Sequence, residues 1–72
     1  MKLQFINVGR NNWNGTVSIP DTDDPDQIAE AAYKVAKGHL LSRGVETDYN
    51  PATSEGSIYA GFHKVGTYRV GQ

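Results

Sequence analysis

One stretch of this chain places its apolar residues at helical spacing, and the segments around it alternate instead. From Pro25 to Arg43, Ile28, Ala29, Ala32, Val35, Ala36 and Leu40 fall on one stripe at 100° per residue, with Glu30, Lys34 and Lys37 opposite. Gly44 supplies the stop. A lone amphipathic helix of this kind must bury its stripe against something, and in a chain of 72 residues the remaining material is strands. The alanines in the stripe let the helix lie close on a sheet.

Before the helix, Lys2 to Val8 read as a strand with Leu3 and Phe5 on one face and Gln4 and Ile6 on the other. A second strand alternates more clearly: Trp13, Gly15, Val17 and Ile19 inward, Asn14, Thr16 and Ser18 outward. Gly9-Arg10-Asn11-Asn12 between them reads as a hairpin turn whose Gly and Asn tolerate positive φ. After the helix, Val45, Thr47 and Tyr49 alternate with Glu46 and Asp48, and Asn50 to Gly56 form a loop of turn residues. Ile58, Ala60 and Phe62 then alternate with Tyr59, Gly61 and His63, and a turn over His63–Gly66 leads to a last strand, Thr67 to Val70. The order is ββαβββ, or ββαββ if the last two stretches are one bent strand. The fold class is α+β: a two-layer sandwich, one helix on a mainly antiparallel sheet of four or five strands, in a single small domain spanning residues 1–72.

The approach to the helix is acidic. Asp24 is placed as N-cap, Pro25 suits the first helical position, and Gln27 sits three residues beyond the cap, as in a capping box. Asp23 and Asp26 complement the positive end of the helix dipole. The spacing lacks the central glycine and distal Glu of a calcium loop.

Trp13 ends the hairpin turn in register with Val17 and Ile19, so its ring caps the end of the core; the same position offers it, with Arg10, to a partner. His39 falls inside the apolar stripe and reads as a core-edge histidine hydrogen-bonded near the helix end.

The chain has no cysteine, no HxxxH pair, no Gly-x-Ser-x-Gly elbow and no phosphate-cradling glycine loop. Tyr59, His63 and Arg69 are its nearest approach to a catalytic set, and the expectation is a non-enzymatic protein without metal or cofactor. Seven Lys/Arg against eight Asp/Glu leave it nearly neutral, whereas generic phosphate binding needs a basic excess. No stretch has the apolar length of a membrane span, and the first eight residues are too polar for a signal peptide, so the expected setting is cytoplasmic.

The run "GTVSIPD" followed by "DPDQIAEAAYKVAKGHL" resembles the strand, Pro-Asp and helix of HicB-like antitoxin domains, although the loop before the helix is shorter and no DNA-binding tail follows. In size and layout the whole chain also resembles the cysteine-free single-domain proteins that phages encode against bacterial defences, anti-CRISPR proteins among them. That resemblance implies an inhibitor that occupies a nucleic-acid or subunit surface of a host complex, in the cytoplasm of a bacterial cell. It transfers no residues.

The expected partner is therefore a larger protein or ribonucleoprotein complex, with direct nucleic-acid binding through the open sheet face, by Tyr59, His63, Lys64 and Arg69, as the alternative. Exposed sheet edges also allow a homodimer. Two surfaces are candidates for contact. The first is Asp21, Asp23, Asp24 and Asp26, whose clustered carboxylates can mimic a phosphate backbone to a basic groove. The second is the outward sheet face with Tyr59, His63 and Arg69, joined by Arg10 and Trp13 at the hairpin tip.

Overall fold

The computed structural model describes residues 1–9, 11–40 and 44–71. Arg10, which the sequence places at the hairpin tip, lies outside the described residues, as do Leu41 to Arg43, where the sequence places the helix end. The elements are β1 (Lys2–Val8), β2 (Trp13–Ser18), α1 (Pro25–Lys37), β3 (Val45–Thr47), β4 (Glu55–Ala60) and β5 (His63–Gly71). They form one five-stranded sheet in the order β2-β1-β5-β4-β3, every neighbouring pair antiparallel, with α1 on one face. This is the α+β two-layer sandwich, and the order is ββαβββ.

The sheet's helix-covered face follows the sequence alternation at both ends of the chain. Leu3 and Phe5 of β1 are fully buried, and Tyr68 and Val70 stand opposite them on β5. Ile28, Ala32 and Ala36 form the buried stripe of α1. Because an alanine side chain ends at Cβ, Ala32 and Ala36 bring the helix backbone down onto the sheet, and both are fully buried. The Thr47 hydroxyl then reaches α1 and donates to the carbonyl of Ala29 at 2.6 Å, tying β3 to the helix.

Two irregularities decide which residues reach the core. In β1 the pairing with β2 shifts between Phe5 and Val8, and Asn7 takes φ 53°. That bulge turns Val8 inward, where strict alternation would leave it outside; Val8 is 1% exposed. In the β4–β5 hairpin the register shifts again, Ile58 pairing with Gly66 but Tyr59 with Lys64. Gly66 leaves room for the Val8 bulge: a Cβ on it would stand 2.9 Å from Val8 Cγ2.

The β4–β5 connection corrects the sequence reading. The turn is Gly61-Phe62, not His63–Gly66, and β5 begins at His63. Gly61 has φ 65° and Phe62 a negative φ, the pattern of a type II′ two-residue hairpin with Gly first. Phe62, expected beside Ile58 and Ala60, is therefore lifted clear of the sheet and fully exposed. The loop before β4 is also shorter than expected, since Glu55 and Gly56 already belong to the strand.

The helix departs from expectation at both ends. Asp24 caps it, its carboxylate accepting from the Asp26 N–H at 2.9 Å, with Pro25 at the first position. Gln27, however, closes no capping box. Its side-chain oxygen accepts from the Thr22 hydroxyl at 2.7 Å, and the same hydroxyl accepts from the Asp24 N–H at 3.1 Å. Thr22 thus does what Gln27 was expected to do. At the other end α1 stops at Lys37, where the Gly38 and His39 N–H groups bond the carbonyls of Val35 and Ala36 in a tightened last turn. Gly44 is not the stop; its carbonyl accepts from Gly61 at 3.0 Å, extending the β3–β4 pairing.

Candidate functional site

The face of the sheet away from α1 has no covering element among the described residues. Its composition follows from the register, because residues paired across strands share a face. One row runs Thr16, Gln4, Arg69, Glu55; the next runs Ile6, Thr67, Ser57; the third runs Lys64, Tyr59, Glu46. Asp48 joins the middle row, since its N–H bonds the Ser57 carbonyl and its carboxylate accepts from the Ser57 N–H at 2.8 Å. Two shallow depressions meet on this face, one passing Ile6, Asn12 and Val65, the other Asp48, Asn50 and Ser57; Lys64 and Thr67 line both.

The electrostatics of this surface are balanced. Lys2, Lys64 and Arg69 stand among Glu46, Asp48 and Glu55. Arg69 and Glu55, on neighbouring strands, form an ion pair at 2.9 Å with both side chains about half exposed. An exposed pair of this kind adds well under about 1 kcal/mol of stability but holds the guanidinium in one direction on the face.

The structure brings Tyr59 and Arg69 onto this surface together with Lys64, and separates His63 from them. His63 pairs with Ala60, which in turn pairs with the buried Val45, so it belongs to the helix side of the sheet, exposed at its rim. The two-residue Gly61-Phe62 turn, which sets His63 directly opposite Ala60, is what takes it off the face of Tyr59. A catalytic set of Tyr59, His63 and Arg69 is not assembled.

Trp13 is on the helix side as expected, half-buried over the end of the core. Its indole stacks on the His39 ring at 3.7 Å between centroids and 13° from parallel, and stands 5.4 Å from Phe5. His39 is exposed, so it covers Trp13 from outside instead of sitting within the core edge.

The acidic stretch is partly taken up by the fold. Asp21 accepts from the Met1 ammonium, and that partner holds its carboxyl below the usual range, first by the hydrogen bond and then by charge. Asp24 is the cap and Asp26 lies in the first helical turn, while Asp23 has no such task in the described contacts. No group of His, Cys, Asp and Glu with the makings of a metal site occurs among the described residues.

Phe62 was not singled out among the candidate contacts, and Lys64 only for the nucleic-acid alternative. Phe62 is the one exposed large apolar side chain among the described residues, at a tip whose backbone is tied to Gly44. A Gly before an aromatic between two alternating runs was the available signal. No helix among the described residues is long and apolar enough to cross a membrane. Compared with known proteins, the chain matches no protein-family model, no curated protein and no solved structure.

Proposed function

We propose that this protein is a binding module that docks its open sheet face on a larger protein complex and acts by occupying that surface. The observation that carries the reading is the uncovered face itself: a five-stranded surface of interspersed charge, Thr, Ser, Gln and Tyr, with the Arg69–Glu55 pair at its centre. The charge balance favours a protein partner of similarly mixed charge over a phosphate backbone, which rewards a basic excess. The Cα trace measures 28 × 20 × 18 Å, so one sheet face offers several hundred Å², roughly the contribution of one partner to a small specific interface. Recognition therefore uses most of the face. A phage-type inhibitor of a host defence complex, working in the bacterial cytoplasm, is the setting in which size and layout fit best.

The test compares tagged wild type with Thr67→Arg in pull-downs from bacterial lysate, with and without nuclease. Thr67 lies mid-face, so an added arginine obstructs a protein interface but strengthens attraction to a phosphate backbone. The expected result is a nuclease-resistant protein species lost by Thr67→Arg while the circular dichroism of the variant stays unchanged. Nucleic acid recovered more strongly by the variant would replace this reading with a nucleic-acid binder.

A further inference from the structure

We infer that β2 is a self-pairing edge, and that two copies of the chain join through it into one continuous sheet. β2 and β3 are the two edges of the sheet. β3 is three residues long with Glu46 at its centre, a short, charged edge of the kind that resists pairing. β2 has none of these protections. Its six residues, Trp13 to Ser18, contain no charge and no proline, and the bulge beside it lies in β1.

The orientation of the free backbone groups fixes the register. Met1 and Ile19 exchange both main-chain bonds, the Ile19 N–H to Met1 O at 2.9 Å and the Met1 amine to Ile19 O at 3.1 Å. Antiparallel pairs alternate, so Val17 and Gly15 also bond toward β1, and the N–H and C=O groups of Asn14, Thr16 and Ser18 point outward. The Asn14 side chain does not block them; it is occupied with Asn7 and the Asn12 carbonyl on the hairpin side.

A second copy meets these outward groups best about a two-fold axis at Thr16. Thr16 then pairs with Thr16 of the other copy, and Asn14 with Ser18, giving roughly six main-chain hydrogen bonds from three doubly bonded pairs. Face parity is kept. On the helix side Trp13 falls opposite Ile19, and Gly15 opposite Val17. Trp13, Val17 and Ile19 are all half-buried in one copy and packed on the core, so pairing extends apolar contact across the junction. Among the sheet strands α1 packs on β3 and β4, away from this edge. On the opposite side the polar faces of the two copies become one surface.

Thr16 also provides the test. Its N–H faces away from β1, so Thr16→Pro removes an outward donor without breaking a bond inside the sheet. Wild type should sediment toward twice the 7.9 kDa of one chain as concentration rises. Thr16→Pro should stay monomeric over the same range with an unchanged circular dichroism spectrum, a weakening of at least about tenfold. The chain has no native cysteine, so register is read separately. Under mild oxidation Thr16→Cys should cross-link to a disulfide dimer, because doubly bonded partners lie within disulfide reach. Ser18→Cys, offset from its own copy, should not. A wild type that stays monomeric, a dimer that survives Thr16→Pro, or equal cross-linking at both positions would overturn the inference. Thr67→Arg leaves this edge untouched, so the two proposals fail independently.

Discussion

The Trp13 indole and the His39 ring lie face to face, 3.7 Å apart, joining the end of the first hairpin to the turn that follows the helix. The hairpin end is thereby pinned to the other layer. Since this is the only tryptophan in the chain, its fluorescence reports that junction directly. His39→Ala should shift the emission to longer wavelength, raise quenching by acrylamide, and cost about 1 kcal/mol, the usual value of an aromatic pair beyond its buried area. An unchanged emission maximum in His39→Ala would show that Phe5 and Gly15 alone hold the indole.

The two small residues beneath aromatic rings respond differently to a methyl group. A Cβ on Gly56 would stand 2.3 Å from both the Asp48 carbonyl oxygen and the buried Tyr68 ring. Neither can retreat, because one is backbone and the other is fully enclosed. Gly56→Ala should therefore cost about 3 kcal/mol or more, a large share of the stability of a domain of this size. A Cβ on Gly15 would instead meet Trp13 Cζ2 at 2.5 Å, and that half-buried indole can swing outward. Gly15→Ala should fold, cost about 1 kcal/mol, and shift Trp13 emission as His39→Ala does. Equal stability losses at the two glycines, measured by urea unfolding, would contradict this distinction.

What the sequence made legible was the part governed by period. The β1 and β2 alternation, the Ile28–Ala32–Ala36 stripe and the Asp24 cap all follow from one local rule each, and the structure has all of them. The misses share a different cause. At Asn7 and beside Val65 a single extra residue reverses the parity of everything beyond it, and no composition signal marks either place. His63 was lost from the open face because the chain turns at Gly61-Phe62 and sets it opposite Ala60. Gly61-Phe62 was misread because Phe62 continues the apolar alternation of Ile58 and Ala60, although a Gly-led two-residue turn fits as well. Gln27 matched the capping-box spacing, but Thr22, before the cap, competes for the same backbone donor.

That competition gives a graded prediction at the helix start. Asp24→Ala should cost about 1 kcal/mol, the ordinary loss for an N-cap carboxylate. Thr22→Ala leaves the exposed Asp24 N–H to water and frees Gln27, so it should cost about 0.5 kcal/mol. Gln27→Ala removes only an exposed bond to Thr22 and should change stability by a few tenths of a kcal/mol at most. Thermal melts of the three variants order them. A Gln27→Ala loss as large as that of Asp24→Ala would restore the capping box.

The alkaline limit of stability should trace to Tyr68. Its hydroxyl donates to the Asp48 carbonyl at 2.6 Å, and burial, followed by the Asp48 carboxylate and Tyr49, raises its pKa well above the ordinary tyrosine range. The unfolded chain releases this proton near pH 10 while the folded chain keeps it, so the stability contributed by neutral Tyr68 is whole below about pH 10. It is then lost as pH rises toward the folded pKa, at up to about 1.4 kcal/mol per pH unit. Tyr68→Phe cannot ionise but gives up the hydrogen bond, so at pH 7 it should be about 1 kcal/mol less stable than wild type. Above pH 10 the wild type should weaken faster and the difference should close. Unfolding free energies from urea titrations between pH 7 and 11 would show it; parallel curves across that range would mean that Tyr68 ionises as readily in the folded chain as in the unfolded one.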